Sequence, residues 1–122
     1  MSPIQILRFL PGLRWLRNNS VSSQNLQEYE YYDSILTIRY SSLINQIDQE
    51  LEDHSKYPDP IDFKKTSTYK ESIVASQKKW LIMREANEEI VRNYTGGTGA
   101  PAEINHQLIV DTKDRIDFLE RL

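Results

Sequence analysis

The sequence predicts an all-α domain, three or four helices packed as an antiparallel bundle. Apolar residues recur at intervals of three and four through three long stretches, no stretch alternates apolar and polar residues as a strand does, and the breaks between stretches carry proline or glycine. At 122 residues the chain suffices for one domain with a modest core.

The first helix follows Ser22 or Ser23, either of which can cap it by accepting from a first-turn N–H. Its stripe runs Leu26, Tyr29, Tyr32, Leu36, Tyr40, Leu43, Ile47 and Leu51, widened by Ile35 and Ile44. It ends before Tyr57-Pro58-Asp59-Pro60, because each proline drives the residue before it out of the α region. Asp62 to Lys65 reads as a separate short turn. Thr68-Tyr69-Lys70-Glu71 has capping-box spacing and reads as the start of the second helix. That helix places Ile73, Gln77, Trp80, Arg84, Glu88 and Val91 on one face, with Val74 and Leu81 beside them.

Gly96-Gly97 stops the second helix, since glycine accepts the left-handed conformation that helix ends favour. The third starts around Pro101, with Glu103 complementing the helix dipole. Its stripe is Ile104, Leu108, Thr112, Arg115, Leu119 and Leu122, flanked by Ile109 and Ile116.

Charge divides the chain at about residue 23. Residues 1–23 contain Arg8, Arg14 and Arg17 and no acid; with a total of −3, residues 24–122 carry −6. The first segment is basic and apolar together, with arginines interrupting Ile4, Leu7, Phe9, Leu10, Leu13, Trp15 and Leu16 and Pro11-Gly12 breaking the run. This differs from an export signal, in which the charge precedes an unbroken apolar run and a small-x-small cleavage site. Residues 1–23 therefore read as a segment that docks on the domain, or as one that touches a membrane surface or a partner through Arg8, Phe9, Arg14, Trp15 and Arg17. A misassigned start is the remaining reading.

No stretch of about 18 apolar residues is present to cross a membrane. A net charge of −3 argues against a general nucleic-acid binder, which needs a concentrated basic face. The chain has no cysteine, which excludes disulfides and thiolate metal sites.

Chemistry-bearing motifs are sparse. His54 and His106 lie in different segments without another metal-binding residue type at ligand spacing, so no metal and no cofactor is expected. No serine has a nucleophile context. Gly96-Gly97-Thr98-Gly99 lacks the Gly-Lys-Ser/Thr ending of a phosphate loop and follows a helix instead of a strand. The chain is accordingly read as a non-enzyme.

Gln77, Trp80 and Arg84 admit two readings. They are a recognition triad in which Arg84 grips a carboxylate, or they are polar core, with Arg84 paired to a carboxylate on the first or third helix. The second is favoured because a desolvated guanidinium demands partners. Thr112 and Arg115 belong to the same candidate polar core. Acids crowd the end of the first helix (Asp48, Glu50, Glu52, Asp53) and the middle of the second (Glu85, Glu88, Glu89). They form a solvated face, or a surface complementary to a basic partner. Tyr31 falls off the main stripe and is expected to be exposed. Tyr31, Glu85, Glu89 and Thr98 are the candidate partner-binding residues.

Ala75-Ser76-Gln77-Lys78-Lys79-Trp80, Arg84-Glu85, Gly96-Gly97-Thr98 and Thr112-x-x-Arg115-x-x-x-Leu119 together resemble the lysozyme inhibitor LprI family. Its domain carries an AQxxWxxFRD-like helix, a Gly-Gly-Ser/Thr break and an LTxxRxxEL-like helix. The resemblance covers residues 24–122, most loosely at Tyr40-Ser41-Ser42-Leu43-Ile44. The chain departs from the family pattern at Met83, where an aromatic is usual, and at Glu85, where Asp is usual. Glu88 and Gln107 stand where exported members carry cysteines.

The resemblance implies a non-catalytic binding protein that inhibits a cell-wall hydrolase or toxin by occlusion. The alternative is a structural or membrane-peripheral domain docked through its N-terminus. Exported members are periplasmic or envelope-associated; the missing signal and cysteines favour the cytoplasm here.

Overall fold

A computed structural model describes residues 23–56 and 59–122. They form three α-helices, α1 (Ser23–Lys56), α2 (Pro60–Thr95) and α3 (Ala100–Glu120), with a 3-10 turn at Gly97–Gly99 before α3. No strand occurs among the described residues. The fold is the expected all-α bundle.

The second helix starts earlier than the sequence suggests. Asp59 caps it, its carboxylate accepting from the N–H groups of Ile61 at 3.0 Å and Asp62 at 3.4 Å, with Pro60 in the first turn. A cap plus a proline whose φ is already helical nucleates α2 at residue 60. The turn expected over Asp62 to Lys65 is therefore the first part of α2, and the capping-box pattern at Thr68 is interior. There the Thr68 carbonyl accepts from the hydroxyl of Ser72 at 3.0 Å.

The other end of α2 follows expectation. Gly96 and Gly97 take φ values of 60° and 58°, in the region where a side chain is strained. The Gly96 N–H closes the helix on the Arg92 carbonyl at 3.1 Å.

The helices differ in length, at about 51, 54 and 32 Å for 1.5 Å per residue. The shortfall of α3 shapes the molecule. Glu120, its last helical residue, pairs with Arg39 near the middle of α1. Beyond that level α1 and α2 continue as a two-helix arm, crossed by Lys70–Asp48 and by Thr66 and His54 at 3.4 Å.

The core lies in two apolar clusters. One contains Leu36, Tyr40, Ile47, Ile73, Trp80, Leu81, Ile116 and Leu119. The other, at the end where α2 turns into α3, contains Tyr29, Ala100, Ile104, Leu108 and Ile109. Between them each helix contributes a polar residue, Asp33 on α1, Arg84 on α2 and Thr112 on α3, beside Tyr32, which packs against both clusters. One stripe residue leaves the core, since Leu122 lies past the end of α3 and is half exposed.

Candidate functional site

The polar residues singled out on α2 and α3 fall into two neighbouring buried groups. Arg84 is 0% exposed and donates from Nη1 to the Asp33 carboxylate on α1 at 3.0 Å and to the Thr112 hydroxyl on α3 at 3.2 Å. Its Nε and Nη2 make no hydrogen bond, but the guanidinium lies 4.8 Å from the centre of the Trp80 ring and 5.6 Å from that of Tyr29. The aromatic faces supply part of the attraction that water would give a cation. Burial pushes the Tyr29 hydroxyl well above its ordinary value, and the nearby Arg84 charge opposes that shift.

About one helical turn further along α3, Arg115 donates from Nε to Gln77 Oε1 at 2.9 Å and from Nη2 to Ser76 Oγ at 3.0 Å. It stacks near Phe118 at 5.1 Å and Trp80 at 5.8 Å. Gln77, Trp80, Arg84, Thr112 and Arg115 are thus all buried and joined across the bundle, with both guanidinium groups near the Trp80 ring.

Other polar groups tie α2 to α3. Asn87 donates to Asp111 at 3.2 Å, and Gln107 to the other oxygen of the same carboxylate at 2.9 Å. Glu88 is buried and accepts from Arg92 at 2.7 Å; burial raises its pKa, and the arginine opposes the rise. Asn105, 0% exposed, makes no side-chain hydrogen bond.

The candidate partner-binding residues do not share one face. Tyr31 is 61% exposed and packs edge-on against Tyr32, over which Lys113 of α3 sits. Asp33 faces α2, so Tyr31, two residues earlier and about 200° round the helix, points away from α2. Glu85, half-buried, and Glu89, exposed and paired with Arg92, lie one turn apart on α2. Thr98 is exposed on the 3-10 turn at the end of the bundle. Arg8, Phe9, Arg14, Trp15 and Arg17 lie outside the described residues.

Among the described residues no group of three or more His, Cys, Asp or Glu side chains is placed to hold a metal ion, and no helix is long and apolar enough to cross a membrane.

The sequence profile of the family described as lysozyme inhibitor LprI matches residues 18–119. The chain belongs to the LprI family. No curated protein and no solved structure matches it. The family's description, a lysozyme inhibitor, points to a protein-binding role. Of the residues that suggested the LprI resemblance, Gln77, Trp80, Arg84, Thr112, Arg115 and Leu119 are buried, whereas Ala75, Lys78, Lys79, Gly96, Gly97 and Thr98 are exposed.

Several contributors were not singled out from sequence. Asp33 left a trace, being an acid flanked by stripe residues Tyr32 and Leu36, where a solvated face is not due. Ser76, Asn87 and Asp111 left none, because a short polar residue beside a stripe is ordinary. An exposed ribbon of Ile82, Ile90 and Tyr94 on the back of α2, with Met83 beside it, also escaped notice.

Proposed function

We propose that this LprI-family protein acts as a stoichiometric inhibitor, occluding a cell-wall hydrolase or toxin domain, with a basic lysozyme as the concrete target. One observation carries the reading: Gln77, Arg84, Thr112 and Arg115 of the family pattern bond across the bundle interior, while acids and an exposed tyrosine sit on the surface. That surface is rich in acid, and residues 24–122 bear −6. A field of that sign attracts basic enzymes and speeds their encounter. Exposed Tyr31 offers the kind of amphipathic anchor that interfaces favour. Occlusion requires no turnover chemistry.

The test is titration of the purified chain into a basic lysozyme clearing a peptidoglycan suspension. Lysis is expected to stop near one chain per enzyme at low salt and to recover in part as salt shortens the Debye length below about 10 Å. Tyr31 and Glu89 project from different sides, so Tyr31→Ala and Glu89→Lys tested singly report which side the enzyme covers. Undiminished lysis at large molar excess, with a second hydrolase equally unaffected, rejects the reading.

A further inference from the structure

Arg115 is a buried cation without an anion. It is 7% exposed, and both of its hydrogen-bond acceptors, Gln77 Oε1 and Ser76 Oγ, are neutral. No carboxylate of the described residues pairs with it, and residues 1–22, 57 and 58 contain no Asp or Glu. Burial lowers its pKa, with only the Tyr40 hydroxyl acting in the other direction. The neighbouring Arg84, by contrast, has Asp33.

Folding strips a guanidinium of water at considerable cost, and an arginine left so is ordinarily matched by a carboxylate or phosphate. Its Nη1 makes no hydrogen bond and is not sealed inside the protein. Arg115 lines a cavity of about 210 Å³, open to solvent, where the end of α3 meets α2. The walls are mostly apolar: Ile73 and Leu119 at the back, Phe118 and Leu122 on the α3 side, Tyr69 opposite. Ser72 stands on the rim.

We propose that this cavity is a binding site for a carboxylate that carries a short apolar group. The carboxylate would take the free guanidinium edge, and the apolar group would take the space between Tyr69 and Phe118. The volume equals the liquid share of roughly seven waters, which fits a branched group of leucine size and not a long chain. A dianionic phosphate suits the cavity less well, because a single arginine leaves its second charge against mostly apolar walls. The same chemistry is found at the end of a peptide and in a free branched-chain acid.

The experiment follows backbone amide shifts of Ser72, Ser76, Phe118 and Leu119 by NMR in the full chain. The probes are 4-methylpentanoate, N-acetyl-leucine and the uncharged 4-methylpentanamide. Both acids are expected to shift these amides saturably at millimolar concentration or below, with the amide binding at least about tenfold more weakly. N-acetyl-leucine as the tighter ligand indicates a peptide end; 4-methylpentanoate as the tighter ligand indicates a free acid. Ser72→Trp fills the mouth from an exposed position without touching Arg115 and is expected to weaken both acids at least about tenfold at unchanged helix content. Arg115→Gln removes the preference for acid over amide. Equal binding of acid and amide, no saturable shift up to about 50 mM, or full binding by folded Ser72→Trp overturns the proposal.

Discussion

Arg84 and Arg115 both approach the same indole, yet the bundle treats them differently. Arg84 has a carboxylate on α1, a hydroxyl on α3 and two aromatic faces. Arg115 has only neutral partners, and a cavity beside it. Arg84 occupies the polar level between the two apolar clusters, where it touches all three helices and is closed off on every side. Arg115 sits where α3 is about to end and the third wall is running out. A charge that fastens helices together needs its partner within the protein, whereas a charge at an open seam can take one from solution.

The largest effect that tests this contrast comes from removing the carboxylate and leaving the cation. Asp33→Ala strands Arg84 in the interior and is expected to cost about 3–5 kcal/mol in denaturant unfolding. Asp33→Leu combined with Arg84→Met should recover much of that loss, because both charges then disappear together. If the single and double variants are equally unstable, Arg84 and Asp33 do not act as a pair.

Asn105 extends the comparison to a buried polar group with no partner at all. Replacing it with leucine relieves a desolvation cost that nothing offsets, so Asn105→Leu should raise stability by about 1–3 kcal/mol. A lower unfolding midpoint would mean that the amide is satisfied in solution. Arg115→Met gives a smaller effect. It gives up the hydrogen bonds to Gln77 and Ser76 but also removes an uncompensated charge, so the net change should stay within about 1 kcal/mol. A loss as large as that of Asp33→Ala would place Arg115 in the same class as Arg84.

The smallest effect is electrostatic and concerns Glu88. Burial raises its folded pKa above the ordinary value, so between the two values the folded state holds the proton more tightly than the unfolded chain. Stability contributed by this group is present at low pH and declines as pH climbs through that window. Glu88→Gln removes the decline. Unfolding midpoints of the two proteins, compared from pH 4 to 7, should shift in favour of the variant as pH rises. A difference that stays flat, or runs the other way, shows the Arg92 pair prevailing over burial.

The arginines also mark how far the sequence could be read. Helical periodicity located Gln77, Trp80, Arg84, Thr112 and Arg115 on inward faces, because a 3.6-residue repeat is visible in one dimension. The need of Arg84 for a carboxylate on another helix followed from solvation alone. Which carboxylate it was depended on the vertical register of α1 against α2, and no local pattern encodes register. The sequence places the start of α2 too late because two capping signals, Asp59 and Thr68, stand nine residues apart, and the hydroxyl signal at Thr68 is complete in itself. The Asp59-Pro60 pair prevailed because it also ends the turn from α1. The cavity beside Arg115 had no sequence trace, since it arises from where one helix stops.

That early stop has a mechanical consequence. Among the described residues, every helix below the Arg39–Glu120 pair has two neighbours, whereas above it α1 and α2 have each other, joined by Lys70–Asp48 and the His54–Thr66 contact. Amide exchange should therefore be graded along α1 and α2, slow around Leu36 and Leu81 and fast toward Lys56 and Pro60. The molecule is a stiff three-helix base with a compliant two-helix lever. A load on the tip, where Ile61 and Phe63 are exposed, is therefore expected to be felt first where α3 ends, beside the cavity at Arg115.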